Sequence, residues 1–199
     1  MSLIEDYALL TDTRTSALVS KEGSIDWLRL PRFDSAGPFA ALLRDVENGR
    51  WLIAPHLPVR GSRRRYRGDS VVLETDVETA DGSIRLVEFV PIRAEVPAVV
   101  RLVEGVRGRV RMHMDFRPRF DDGRIRPRFG RVDGADVAIA EPECVRLCSP
   151  VETRADDAAI RADFVVSAGE LLPFVLSWHH SHEPASAPID PLRALAATE

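Results

Sequence analysis

The sequence predicts an all-β fold, an antiparallel β-sandwich with one or two short helices. Two observations carry this expectation. Short alternating apolar runs are separated by Gly, Pro and Asp along most of the chain, and hardly any stretch shows the 3.6-residue period of a helix. About ten strand-like runs at such spacing fit two packed antiparallel layers.

Taken in order, Ser16–Val19 and Ser24–Leu28 flank Lys21-Glu22-Gly23, which reads as a hairpin with glycine supplying the positive φ. Val71–Thr79 and Ser83–Val90 flank Ala80-Asp81-Gly82 as a second hairpin. Its alternation puts Val71, Leu73, Thr75 and Val77 on one face, with Ile84, Leu86 and Glu88 on the partner strand. Further strands are expected over 99–106, 110–118, 137–140, 145–148, 159–167 and 171–178. Pro38–Leu43 reads as a short helix opened by proline. Asp190-Pro191 is a capped helix start, and the stretch His182–Pro188 has linker composition. The expected division is therefore a sandwich over 1–181, then a linker and the start of an interdomain helix over 182–199. A helix that opens just before Glu199 reads as a domain boundary cut short.

A chain of 199 residues suits one domain, and its 45% apolar and 29% charged content is that of a globular protein. The net charge of −4 argues against a nucleic-acid binder. The arginine-rich run Arg60–Arg67 is read as a solvated strand edge, because Lys21 is the single lysine and Asn48 the single asparagine, a coding bias. No apolar run reaches the roughly 20 residues of a membrane span, and Glu5-Asp6 stands where a signal peptide needs basic residues. A cytoplasmic location is the expectation. Cys144 and Cys148 are read as reduced thiols, since a disulfide along one strand is geometrically awkward.

No internal active site is visible. The pairs Asp121-Asp122, Asp156-Asp157 and Glu141/Glu143 sit at turn positions, where carboxylates serve the local backbone. His179, His180 and His182 lack an H-E-x-x-H pattern and read as a domain-edge loop, so neither metal nor cofactor is expected. One segment is different. Gly23–Ser35 places Asp26 and Trp27 near a strand end, then Arg32, Phe33 and Asp34 on a proline-started loop. Aromatic faces with charged hydrogen-bonding groups suit a sugar. The same residues also fit a local Arg32–Asp34 ion pair with Trp27 and Phe33 in the core.

Ile4–Leu10, Thr13–Ser20 and the run G-S-I-D-W-L-R-L-P-R-F-D-S from Gly23 resemble the start of bacterial trehalase-like and glucoamylase-like proteins of glycoside hydrolase family 15. The similarity continues through Phe39–Leu43, Gly49-Arg50-Trp51, Arg64-Arg65-Tyr66, Leu73-Glu74-Thr75, Val103–Gly108, Arg117–Asp121 and Ser177–Glu183. The family often has cysteine where Thr13 and Arg29 stand, and Ala36-Gly37-Pro38 replaces a more usual proline-started stretch.

The resemblance implies an N-terminal β-sandwich, a helical linker, and an (α/α)6 barrel holding two catalytic glutamates. It implies further that the barrel and its glutamates lie outside this chain, which leaves no catalytic residue here and makes the barrel the expected partner. An α-glucoside is the candidate ligand, and self-association through the barrel-facing surface is a further expectation. Under the resemblance Asp26, Trp27, Arg32, Phe33 and Asp34 form either a sugar-pocket wall or the interdomain contact. The alternative is a free-standing carbohydrate-binding or protein-interaction module.

Overall fold

The computed structural model describes residues 3–92, 94–184 and 187–199. Its strands are β1 (Ala8–Thr11), β2 (Ser16–Val19), β3 (Ser24–Arg29), β4 (Arg50–Pro55), β5 (Gly61–Tyr66), β6 (Leu73–Glu78) and β7 (Gly82–Phe89). After them come β8 (Ala98–Arg117), β9 (Arg128–Val132), β10 (Ala135–Ala140), β11 (Glu143–Cys148), β12 (Arg154–Ala155), β13 (Ile160–Ser167) and β14 (Leu171–His180). A helical turn α1 (Phe120–Gly123) follows β8, and a helix α2 (Pro191–Thr198) follows β14. One layer runs β1-β2-β3-β4-β8-β13-β12 and the other β5-β6-β7-β8-β14-β11-β10-β9, every pairing antiparallel. We call them the first and second layers. No helix among the described residues is long and apolar enough to cross a membrane.

The layers share β8. Its first half pairs with β7 and β14, its second half with β4 and β13. The sequence suggests two strands here, broken near Gly108. The structure keeps one strand of 20 residues, because glycines let it bend while its ladder continues. Gly108 takes φ 72°, and a Cβ on it would lie 2.2 Å from the Asp81 carbonyl oxygen. A Cβ on Gly105 would lie 1.9 Å from that of Ser167. The neighbouring hairpin strand β7 shifts register opposite this bend, between Ser83 and Ile84.

The core fills the space between the layers, with Val99 and Val103 of β8 pointing inward beside Ile84 and Leu86 of β7. The same alternation turns Arg101 and Glu88 inward, both fully buried. Arg101 donates from Nε to Glu88 Oε1 at 2.8 Å. Its Nη1 and Nη2 cross the core to the carbonyls of Trp51 and Gly23, each at 2.7 Å, and its guanidinium lies 5.0 Å from the Trp51 ring centre. Burial pulls the Arg101 pKa below its ordinary value, and Glu88 opposes that shift. A second set of ties closes the side: Arg64 donates to the carbonyls of Asp6 and Val19, and the Tyr66 hydroxyl bonds both backbone groups of Leu9.

The two outer faces differ. On the second layer Val72, Phe89, Val100 and Leu102 form an apolar patch, covered by Ala194 and Leu195 of α2. Asp190 caps α2 by accepting from the amides of Leu192 and Arg193, as its Asp-Pro start leads one to expect. The expected helix over Pro38–Leu43 is reduced to a 3₁₀ turn at Ala41–Leu43, followed by another at Val46–Asn48. The backbone amides of Ala40 and Ala41 bond instead to the Asn48 and Gly49 carbonyls.

Removing one member of the buried pair leaves the other charge without a partner. Arg101→Ala or Glu88→Ala is expected to cost about 3–5 kcal/mol in chemical denaturation, while Glu88→Leu with Arg101→Met together costs markedly less. Cys144 and Cys148 are both free. Burial pushes the Cys144 thiol up to about 11, so a thiol reagent at pH 8 should modify the half-buried Cys148 first and Cys144 only on unfolding.

Candidate functional site

Where β2 meets β3, Trp27 pairs with Leu18 and Ile25 with Val19, so Asp26 is the extra residue of a bulge. The bulge leaves Asp26 and Trp27 both half-buried, while Ile25 and Leu28 on either side point into the core. Asp26 opens into a cleft of about 590 Å³ on the outer face of the first layer, floored by Leu52 and Ala54 of β4. The Tyr7 hydroxyl donates to Asp26 Oδ2 at 2.7 Å and the Ser24 hydroxyl to Oδ1 at 2.5 Å. Asp6, held below its usual pKa by the Lys21 ammonium, and Arg44 stand at the rim. Hydroxyls, carboxylates and a guanidinium over an apolar floor suit a polyhydroxyl ligand.

The other candidates lie elsewhere, and none of them lines this cleft. Trp27 carries the Arg29 guanidinium 3.9 Å above its ring, and Arg29 reaches Asp122 Oδ1 at 2.5 Å and the Ser35 carbonyl at 2.9 Å. Arg32 and Asp34 form a local ion pair at 2.9 Å with both side chains largely exposed. The Arg32 hydrogen bond holds the Asp34 carboxyl below its usual pKa. Phe33 is 64% exposed, so it is no part of the core. Thus Trp27 joins the loop through Arg29, while Asp26 faces a different surface.

Beyond the cleft, Asp115 on β8 gathers Arg50, Arg117 and Arg161 at 3.0–3.6 Å. His56 and His113 have ring centres 4.9 Å apart, and His56 Nε2 lies 2.7 Å from Asp163. Burial, then the neighbouring His56, lowers the His113 pKa. These groups line a depression of about 350 Å³ that shares Arg50 with the Asp26 cleft. Sequence reasoning missed them, because β4, β8 and β13 bring together residues about 50–110 positions apart, and only strand register could have paired them.

Two of the five arginines of the basic run pair with carboxylates: Arg65 contacts Glu74 and Asp76, and Arg67 contacts Glu74 and Glu199. At the end of β14, His180 and His182 stack with ring centres 5.4 Å apart, and Trp178 lies 4.7 Å from His180. Burial raises the pKa of Glu143, which pairs with His180 across the strands. Asp156 does the expected turn work, accepting from the amides of Ala158 and Ala159.

Comparison with known proteins adds a family. Trehalase 2 of Sulfolobus acidocaldarius is 34% identical over 120 residues, 60% of this chain and 19% of that protein. The trehalase of Mycobacterium tuberculosis is 40% identical over 79 residues, 40% of this chain and 12% of that protein. That of Mycolicibacterium smegmatis is 28% identical over 209 residues, covering 92% of this chain and 31% of its own length. The chain thus spans less than a third of the curated relatives it matches. A family model described as trehalase-like, N-terminal, matches residues 1–187, which include every strand of the sandwich, and the chain belongs to this trehalase-like N-terminal family.

Proposed function

We propose that this chain is the non-catalytic N-terminal sandwich of an inverting α-glucoside hydrolase of the trehalase or glucoamylase type, in glycoside hydrolase family 15. The observation that carries this reading is the match over residues 1–187 to a trehalase-like N-terminal family whose curated relatives are about three times longer or more. An (α/α)6 barrel elsewhere in the same polypeptide supplies the acid and base, two carboxyls about 6.5–9.5 Å apart across a sugar. The sandwich supplies a rigid face. Asp26, oriented by Tyr7 and Ser24, is suited to bond a sugar hydroxyl at the rim of such a pocket. Trp27, Arg32, Phe33 and Asp34 are suited to contact between the two parts.

In a glucose-release assay with trehalose or maltose, the 199-residue chain should stay at the buffer rate. The polypeptide extended through a barrel should turn over one of the two sugars. Hydrolysis by the chain alone, abolished by Asp26→Asn, would overturn the reading. In the extended protein Asp26→Ala should raise KM for the sugar about tenfold, as for one charged hydrogen bond lost at a rim. Unchanged kinetics would remove Asp26 from the pocket.

A further inference from the structure

Strand β8 carries two buried polar atoms that make no hydrogen bond among the described residues, Nδ1 of His113 and Oδ1 of Asp115. Residues two apart on a strand share a face, so both belong to the outer face of the first layer. Asp115 Oδ1 has only the longer ion-pair contacts, Arg161 at 3.4 Å and Arg117 at 3.6 Å, and those arginines also have Asp156 and Glu47 as partners. The other oxygen, Oδ2, accepts from Arg50 Nε at 3.1 Å and from Arg50 Nη2 at 3.0 Å. Arg50 in turn lines both the Asp26 cleft and the depression that holds the histidines.

His113 lies under a strap. Strand register places it between Ala54 of β4 and Asp163 of β13. His56, one residue past the end of β4, is tied to β8 by its amide on the Arg111 carbonyl at 2.9 Å, and its ring reaches over the strand to Asp163. A proton on His56 therefore has a counter-charge in Asp163. A second proton, on His113, is opposed by burial, by the His56 ring 4.9 Å away and by Arg50, and is favoured by Asp163 and Asp115. The remaining charges around the pair are Arg161 on β13 and Arg111 and Arg117 on β8 itself, with Glu152 and Arg154 beyond Asp163.

We propose that His56 and His113 form a proton-operated switch on the Asp26 cleft. Protonation makes the idle Nδ1 of His113 a donor, and Asp115 Oδ1 is the acceptor left without a hydrogen bond on the same face. Turning Oδ1 toward the charged ring carries Oδ2 away from Arg50, whose guanidinium then comes free at the edge of the cleft. The device needs no ligand but the proton, and it is indifferent to what the cleft binds. Its sign follows from the environment of His113. The folded chain disfavours that proton, so the contribution to stability is full above the ordinary histidine value of about 6.5 and is lost as the pH falls below it.

Side-chain NMR of the 199-residue chain through the histidine range tests the switch. His113 should titrate below the ordinary histidine value, and His56→Gln, a change at a largely exposed ring, should raise its midpoint. Once corrected for the intrinsic effect of pH, solvent exchange of the Arg50 Nε–H should be about tenfold faster below the His113 midpoint than above it. His113→Gln should abolish that change, and His56→Gln should move it to higher pH together with the His113 midpoint, a comparison that does not need His113→Gln to fold. A His113 midpoint unaltered by His56→Gln would overturn the pairing of the two rings. Arg50 exchange that ignores the His113 titration, or that changes equally in His113→Gln, would overturn the switch.

Discussion

The buried guanidinium of Arg101 is the constraint on which the rest of the structure depends. It lies on the strand common to both layers, pairs with Glu88 in the second layer and bonds the carbonyls of Trp51 and Gly23 in the first. A charge taken wholly out of water is tolerable only when its donors are matched, so the spacing of the layers and the position of the β2–β3 turn are fixed together. That turn leads directly into the bulge that exposes Asp26. The candidate cleft is thus held in place from inside the core.

The division of labour between the faces follows from where apolar surface is left over. The second layer has a continuous apolar outer patch, and α2 closes it. On the outer face of the first layer Asp26, Asp115, His56 and His113 form linked depressions instead. Beyond the ends of β3 and β4, the segments 30–35 and 41–49 leave Phe33 and Leu43 exposed.

Much of the fold was legible because β-periodicity is local. The hairpins at Lys21–Gly23 and Ala80–Gly82 and the Asp190 cap needed only neighbouring residues to be read. Alternation already placed Glu88 on the same face as Ile84 and Leu86, though it did not show that this face is buried. What escaped was non-local. The sequence could not show that 99–106 and 110–118 are one strand, because continuity through Gly108 depends on β7 and β13 lying beside it. Strands β1 and β5 are short edges of different layers, joined by the Tyr66 hydroxyl bonding the Leu9 backbone. At the site, the Gly23–Ser35 run stood out as one block, yet the bulge at Asp26 and the end of β3 at Arg29 send Asp26 and the Arg32–Asp34 pair to different surfaces. Arg32–Asp34 proved the local ion pair that residue types allowed, while Phe33 faces solvent.

The central structural claim is that Arg101 and the shared strand make the two layers one cooperative unit, a rigid platform rather than two sheets in loose contact. Native-state hydrogen exchange at rising denaturant tests it most directly. Amides of β4 and β13 in the first layer and of β7 and β14 in the second should merge into one unfolding isotherm with the same free energy and slope. A first layer that opens at a distinctly lower free energy, with β7 and β14 still protected, would contradict the account.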